Sequence, residues 1–243
     1  MSNKKPVLYT SLSPALLKLY EIKQSIVVII DVLRATSTIA TALSNGAKEV
    51  IPVDSVDECI RIGKQMRAIT AGERDGKVAE GLQYGNSPFE YPASFIENKT
   101  LVLTTTNGTK LLHMALTNGA NEIITGSFAN IDAVCEYLIK SGKPVLLACA
   151  AWKDRVNIED TLFAGAVINK IESYFEIDCD ASKIAHRTYQ DASADLYEYM
   201  KKQNATHFQR LSKFGLDKDI KHCLTNNTAP VLPIYKEGKL TKG

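Results

Sequence analysis

Apolar runs that end in polar loops recur along the chain, and each predicts a buried strand leading into a helix. The first run, Ile26–Ile30, consists entirely of Ile and Val and is followed by Asp31 and Arg34. A continuous run of this kind is typical of a strand that is covered on both faces of a parallel sheet. A second run at 144–148 precedes a polar loop, 149–159, and then an alanine-rich apolar stretch, 160–171, that predicts a helix.

The first of these patterns occurs twice. Residues 42–51 and 115–124 are identical at seven of ten positions, and in this register the apolar residues 28–30 align with 101–103. Each predicted helix stops at an Asn-Gly pair, which tolerates the left-handed conformation of a helix C-terminus. The chain therefore contains two copies of a strand-loop-helix-strand unit, at 26–53 and 99–126.

This alternation of strands and helices predicts an α/β fold, with a mostly parallel sheet flanked by helices and a more helical C-terminal portion. We expect an α/β catalytic core at 1–180 and a helical lobe or cap at 181–243, which could belong to the same domain. Further predicted elements are helices at 56–67, 131–141, 189–203 and 206–213, a long polar loop at 70–92, and an edge strand or extended tail at 230–235, because proline is confined to such positions.

Composition excludes several classes of function. The 243 residues carry 29 basic and 27 acidic side chains, a net charge of +2, with no basic stripe of the kind that binds nucleic acid. No apolar run is long enough to span a membrane, and the N-terminus lacks a signal peptide, so we expect a soluble, cytoplasmic protein. The five cysteines have no metal-binding spacing, which favours reduced thiols. A homodimer is the commonest assembly for such a protein.

Candidate functional residues lie where the predicted strands end, since ligands of open α/β sheets bind at that edge. Asp31 could bind a divalent metal or act as a nucleophile, and Arg34 could hold a phosphate with two hydrogen bonds. The alternative is purely structural, with Asp31 as a helix cap and Arg34 in a surface ion pair. We favour function because Asp31 directly follows a fully apolar strand.

The corresponding loop of the second unit is rich in hydroxyl groups. Thr105, Thr106, Asn107, Gly108 and Thr109 lie between a predicted strand and a helix. Hydroxyls, a glycine and the N–H groups of a helix start together favour binding of an anion. An ordinary helix cap explains the same residue types, and the loop alone does not distinguish the two.

Three more pairs of residues could contribute to the same edge. Glu159 and Asp160 lie at the entry to the predicted third helix, and adjacent carboxylates suit hard cations such as Mg²⁺. The pairs Glu73-Arg74 and Asn86-Ser87 lie on the predicted long loop, where a closing lid would belong. Plain solvent exposure is the alternative for these two pairs.

Six motifs in this order resemble the 2-phosphosulfolactate phosphatase family, from about residue 25 through the tail. They are IDVLRATST at 30–38, AGER at 71–74, GNSP at 85–88, TTNGT at 105–109, GSFAN at 126–130, and ED at 159–160 followed by AGA at 164–166. The resemblance implies a Mg²⁺-dependent hydrolase that converts 2-phospho-3-sulfolactate to 3-sulfolactate, a step of coenzyme M biosynthesis. Phosphoryl transfer requires mainly positioning and charge stabilisation, which these residues could supply.

The resemblance also implies roles for individual residues. Asp31, Glu159 and Asp160 would hold the metal or activate the nucleophile, and together with Arg34 they form the predicted catalytic set. The predicted substrate-binding residues are Ser37, Glu73, Arg74, Asn86, Ser87, Thr105, Thr106, Asn107, Gly108 and Thr109.

The chain departs from the family after the third predicted strand, where Trp152 stands in a loop that usually contains glycine. A bulky side chain there could alter the choice of substrate. Two further functions therefore remain open: a phosphatase of another small phosphorylated 2-hydroxy acid, and an anion-binding protein without catalysis.

Overall fold

The computed structural model describes residues 5–74 and 76–243. Residues 1–4 and Asp75, which fall within the predicted core 1–180, lie outside the described residues. Within this part of the chain, ten strands form one sheet. In chain order, they are β1 (Leu8–Ser11), β2 (Ile26–Ile30), β3 (Glu49–Pro52), β4 (Ile69–Arg74), β5 (Lys77–Val78), β6 (Thr100–Thr104), β7 (Glu122–Gly126), β8 (Val145–Cys149), β9 (Pro233–Lys236) and β10 (Lys239–Lys242).

Helices flank the sheet. The α-helices of the described residues are α1 (Ala35–Ser44), α2 (Val56–Met66), α3 (Ala93–Ile96), α4 (Gly108–Thr117), α5 (Ile131–Ser141), α6 (Ile158–Ile171), α7 (Asp180–Ala192), α8 (Leu196–Lys202), α9 (Thr206–Lys213) and α10 (Asp217–Cys223). Short 3-10 helices occur at Pro14–Leu19, Pro88–Glu90, Phe128–Asn130 and Glu172–Tyr174.

The sheet has the strand order β1-β8-β2-β7-β9-β10-β3-β6-β4-β5. It contains two groups of parallel strands, β1-β8-β2-β7 and β3-β6-β4. The antiparallel hairpin of β9 and β10 joins the two groups, because β9 pairs with β7 and β10 pairs with β3. The predicted α/β class with a mostly parallel sheet is confirmed.

Both copies of the repeated unit form strand, helix and strand, and they exchange partners in the sheet. The first copy supplies β2, α1 and β3, and the second supplies β6, α4 and β7. β2 pairs with β7 of the other copy, with Val28 opposite Ile124, while β3 pairs with β6, with Val50 opposite Leu101. This exchange interlocks the two copies.

Alternate residues of β2 pack into different parts of the core. Val28 and Ile30 belong to a cluster that also contains residues of α5, α6 and the C-terminal helices. Val27 and Ile29 belong to a second cluster with residues of α1 and α4. All five residues of β2 are buried, as its continuous apolar sequence predicts. The loop after β2 is thus attached to a strand fixed on both faces.

The predicted loop at 70–92 is wrong in its first part, which forms β4 parallel to β6. The first four residues of β4 are buried, but the three that follow Ile69 are small, so the continuous apolar pattern of a buried strand is missing. Gly72 explains one of them: a Cβ atom at this position would lie 2.3 Å from the carbonyl oxygen of Thr104 on β6. Glu73 and Arg74 therefore lie at the end of a strand rather than on a mobile loop.

Two predictions for the C-terminal portion are also wrong. The predicted helix 189–203 is divided between α7 and α8, because Asp195 accepts a hydrogen bond from the N–H of Glu198 and starts a new helix. The predicted edge strand at 230–235 lies inside the sheet as β9. Pro233 is its first residue, a position where proline is tolerated.

Two other sequence expectations can be compared with the structure. None of the described helices combines the length and apolar character needed to cross a membrane. All five cysteines are free thiols, and only Cys179 among them is not fully buried. The predicted reduced state agrees with this arrangement.

Candidate active site

A narrow pocket lies where the loops of both repeated units meet helix α9. Its walls come from the loop after β2, the ends of β4 and β6, the turn after β8 and one face of α9. The lining residues are Asp31, Leu33, Arg34, Glu73, Gly76, Asn86, Thr106, Asn107, Trp152, His207, Arg210 and Leu211.

Asp31 contacts the start of the second unit's helix. A Cβ atom at Gly108 would lie 2.7 Å from Oδ2 of Asp31 and 2.9 Å from Cβ of Ala35, so only glycine fits there. The N–H of Ala35 donates to Oδ1 of Asp31 at 3.4 Å. The two helix starts, equivalent in the repeat, thus pack against each other and against the Asp31 carboxylate.

Burial perturbs the acidic side chains around Asp31. It raises the pKa of Asp31 to about 6; His207 opposes this effect, and the charges of Glu73 and Glu159 add to it. Burial, followed by the charges of Glu159 and Asp31, also raises the pKa of Asp160 well above its usual value. Perturbed carboxyl groups that line a pocket are typical of functional sites.

Asp160 connects two loops of the site. Its Oδ1 accepts a hydrogen bond from the N–H of Val32 at 3.0 Å, and its Oδ2 accepts one from the N–H of Ala151 at 3.1 Å. The loop after β2 and the turn after β8 are therefore fixed relative to each other. Asp160 lies in the first turn of α6, next to Glu159.

Glu159 links α6 to α9. Its Oε1 lies 2.5 Å from Nδ1 of His207, whereas its Oε2 is buried and has no hydrogen-bond partner. A buried carboxylate oxygen without a partner is energetically costly unless a ligand or ion binds it. His207 itself lines the pocket.

Glu73 orients the loop of the second unit. Its Oε1 accepts from the N–H of Thr106 at 2.8 Å and its Oε2 from the N–H of Gly76 at 2.9 Å. Two neighbouring polar atoms, Oγ1 of Thr106 and Oδ1 of Asn86, are buried without a hydrogen-bond partner. Both residues line the pocket, so two of its lining residues carry a polar atom without a hydrogen-bond partner.

Arg34 is buried and forms an ion pair with Asp219 of α10, which fixes the guanidinium group at the pocket wall. The alternative of a surface ion pair is therefore wrong, because the side chains of Arg34 and Asp219 are only 5% and 8% exposed. The bond to Asp219 uses Nη1 of Arg34, and a guanidinium group can form a planar, bidentate contact with an oxyanion through its other nitrogens.

Comparison with known proteins agrees with this arrangement. A family model described as 2-phosphosulpholactate phosphatase matches residues 11–238. The chain belongs to this family. It is similar to proteins named probable 2-phosphosulfolactate phosphatase in several bacteria.

The similarity to these relatives extends over most of each chain. The protein from Caldanaerobacter subterraneus subsp. tengcongensis is 41% identical over 223 residues, which cover 90% of both chains. That of Thermotoga maritima is 40% identical over 211 residues, 87% of this chain and 89% of the relative. That of Clostridium tetani is 37% identical over 221 residues, 90% and 92% of the two chains.

Two carboxylates of the site are of the type that could hold a Mg²⁺ ion together with water and a substrate. Within 5–74 and 76–243, no three His, Cys, Asp or Glu side chains form a group that could hold a metal by themselves. Mg²⁺ commonly takes only one or two carboxylates and completes its shell with water and substrate phosphate. Asp31 and Glu159 offer such carboxylates, and the unpartnered Oε2 of Glu159 supports a cation there.

Eight predicted site residues are not among those that line the pocket. Glu159, Asp160 and Gly108 lie behind its wall in the contacts described above, and the side chains of the other five are used elsewhere. Oγ of Ser37 donates to the carbonyl oxygen of Val32, and Ser87 caps the 3-10 helix Pro88–Glu90. Thr105 and Thr109 bond to each other through side chain and backbone. Arg74 donates to Oγ1 of Thr104 and faces a neighbouring groove.

Several pocket residues were not predicted from the sequence. His207, Arg210 and Leu211 share one face of α9. Asp219 of α10, which was also not predicted, does not line the pocket but pairs with the lining residue Arg34. The spacing of the three α9 residues is that of a helix face, but nothing in the sequence relates this face to Asp31. Trp152, which departs from the family pattern, lies in the pocket wall.

Proposed function

We propose that the protein is a Mg²⁺-dependent phosphatase that hydrolyses 2-phospho-3-sulfolactate to 3-sulfolactate and phosphate. The observation that carries this proposal is a set of buried, unpartnered polar atoms at a pocket with carboxylates and arginines. Oγ1 of Thr106 and Oδ1 of Asn86 belong to residues that line the pocket, and Oε2 belongs to Glu159, which contacts the lining residue His207. Membership of the family and the names of its relatives support the same reaction.

The proposed substrate carries phosphate, sulfonate and carboxylate groups, and the pocket offers complementary charge. Arg34 and Arg210 both line it. Helix α4 begins at Gly108, beside Asp31, and the N-terminal end of a helix favours anions. The carboxylates of Asp31 and Glu73 would repel such a substrate unless a cation lies between them, which supports a requirement for Mg²⁺.

Asp31 and Glu159 would hold the ion, which supplies charge stabilisation to the phosphoryl group when bound. Asp160 fixes the backbone of Val32, next to Asp31. The position of Asp31 at the end of β2 suits a metal ligand and a nucleophile equally, and both roles need an ionised carboxylate.

The remaining pocket residues bind and orient the phosphoryl group. Arg34, which Asp219 holds in place, presents a guanidinium fork to the phosphoryl oxygens. Glu73 fixes the backbone of Thr106, so that its hydroxyl group and the amide of Asn86 complete the polar wall. Such positioning accounts for most of the catalysis in phosphoryl transfer.

The proposal can be tested by measuring phosphate release from 2-phospho-3-sulfolactate with Mg²⁺, with excess EDTA, and after Mg²⁺ is added back. Phospholactate and an aryl phosphate serve as comparison substrates. We expect rapid release that EDTA abolishes and Mg²⁺ restores.

Each other outcome selects one of the alternatives. Release from phospholactate but not from the sulfonated ester would identify a phosphatase of another 2-hydroxy acid. If no ester is hydrolysed but calorimetry detects tight binding of 3-sulfolactate, the protein is an anion-binding protein without catalysis.

A further inference from the structure

Helix α9 contributes a cationic wall to the pocket. His207, Arg210 and Leu211 are spaced by three and four residues and therefore lie on one face of the helix. Arg210 is half-buried, and its guanidinium carbon lies 3.9 Å from the centroid of the Trp152 ring. Stacking on an aromatic ring fixes the plane of a guanidinium group while its N–H groups remain directed outward from the edge.

The Trp152 ring is itself held by a rigid turn. The backbones of Trp152 and Arg155 exchange two hydrogen bonds, of 2.9 and 3.0 Å. The preceding residue, Ala151, donates to Asp160, and the carbonyl of Asp154 accepts from Oγ of Ser13 at 2.7 Å. Asp160, which accepts the hydrogen bond from Ala151, also accepts one from Val32, so the turn and the loop after β2 are fixed relative to each other.

We propose that Arg210, stacked on Trp152, binds the sulfonate group of the substrate and thereby selects sulfonated 2-phospho acids. This inference rests on the proposed function and adds the group that determines specificity. Asp31 and Arg34 belong to the phosphoryl end of the site, whereas Arg210 comes from a different element of the wall.

The chemistry of the substrate indicates which anion belongs to Arg210. The sulfonate is one carbon further from the phosphorylated carbon than the carboxylate, so it reaches the wall that is separate from the phosphoryl-binding groups. Its three equivalent oxygens can present two hydrogen-bond acceptors to the guanidinium edge in any rotation about the C–S bond. Trp152 and Leu211 line the pocket together with Arg210, and apolar surroundings of this kind strengthen a charged hydrogen bond.

The test compares esters that lack one acidic group each. Phospholactate lacks the sulfonate, and phosphorylated 2-hydroxyethanesulfonate lacks the carboxylate. We expect Arg210→Gln to lower kcat/KM about 10- to 100-fold for both sulfonated esters, the loss typical of a charge-assisted hydrogen bond. For phospholactate, kcat/KM should change by less than about threefold, because no sulfonate contact is lost.

Two further variants separate the contact from general effects on the fold. Arg210→Lys keeps the charge but loses the planar fork, so it should show a smaller loss confined to the same esters. Arg187→Gln changes an exposed arginine of α7 that pairs with Asp191, and it should leave all rates unchanged. Equal losses for all esters in Arg210→Gln, or a loss confined to phospholactate, would overturn the proposal.

Equilibrium binding tests the inference independently of turnover. Calorimetry should show that Arg210→Gln weakens binding of 3-sulfolactate about 10- to 100-fold, with little effect on lactate. Trp152→Phe, which keeps an aromatic face, should bind 3-sulfolactate nearly as well as wild type, whereas Trp152→Ala should not. If wild type hydrolyses no ester but this pattern is found, the proposed function fails and the sulfonate contact stands. Unchanged binding in Arg210→Gln overturns the contact even if the enzyme is active.

Discussion

The carboxyl group of Asp31 has a higher pKa in the folded protein than in the unfolded chain, because folding disfavours its ionised form. Burial raises its pKa to about 6, and the charges of Glu73 and Glu159 contribute to this rise. The unfolded chain therefore loses its proton first as the pH increases. The contribution of Asp31 to stability is greatest below the unfolded pKa, near 4, and is lost as the pH rises toward 6.

We therefore expect Asp31→Asn to stabilise the metal-free protein while it removes activity. At neutral pH in EDTA, the free energy of unfolding should rise by roughly 1–3 kcal/mol, because a buried charge among like charges is replaced by a neutral amide. Phosphate release should fall by at least about 100-fold, since no ionised carboxylate remains at the end of β2. Urea unfolding and the phosphate assay measure the two effects.

Asp57→Asn serves as the matched control, since Asp57 is an exposed carboxylate in the first turn of α2. This change should leave activity unaffected and should not stabilise the protein. If Asp31→Asn retained full activity, Asp31 would be neither nucleophile nor necessary metal ligand.

At the scale of single residues, position at a strand end was sufficient to identify Asp31, Arg34 and Asn107 as pocket residues. The same reasoning could not separate Thr106 from its neighbours Thr105 and Thr109. All three are hydroxyl residues of one loop, and only the geometry of the helix start decides which hydroxyls bond locally. The residue types of the loop predict that it binds an anion, but only the directions of the side chains show which hydroxyl groups remain without a local hydrogen bond.

Among the elements, the C-terminal hairpin holds the two halves of the sheet together. β9 and β10 connect the two parallel groups of strands, and Leu240 of β10 is fully buried opposite Val50 of β3. We expect Leu240→Ala to lower the free energy of unfolding by about 2–4 kcal/mol, through lost apolar contacts and the cavity left behind. Urea unfolding, followed by circular dichroism, measures the loss.

Lys242→Ala, at an exposed position of the same strand, provides the comparison and should change stability by less than about 0.5 kcal/mol. If the two variants were equally stable, the hairpin would not be required to join the two halves of the sheet. A loss confined to Leu240→Ala supports its role as the connection.

Elements were predictable from sequence where the apolar pattern was uninterrupted. The repeated units have long apolar runs and Asn-Gly helix ends, and both copies fold as predicted. β4 was missed because close packing against β6 requires small residues such as Gly72, which remove the apolar signal of a buried strand. The predicted helix 189–203 is interrupted at Asp195, which accepts a capping hydrogen bond from the N–H of Glu198. The spacing of apolar residues does not show where such a cap forms.

On the scale of the whole molecule, the pocket depends on contacts between segments that are far apart in sequence. The α9 residues His207 and Arg210 face Asp31 only because the C-terminal helices pack into the core formed by one face of β2. The sequence of α9 indicates a helix with one apolar face and no more. Pocket residues that depend on the packing of distant helices therefore could not be predicted from the sequence around them. Pocket residues at the ends of strands could.

The ion pair between Arg34 and Asp219 connects the first repeated unit to α10, and breaking it should affect both stability and binding. Asp219→Asn leaves the guanidinium group buried without a counterion, so we expect a loss of about 3–5 kcal/mol in the free energy of unfolding. Because Arg34 then loses its fixed orientation, KM should rise more than kcat falls. Asp191→Asn breaks the exposed pair with Arg187 and should cost less than about 1 kcal/mol with unchanged kinetics. Similar losses in the two variants, measured by urea unfolding and steady-state kinetics, would show that α10 does not hold Arg34 in place.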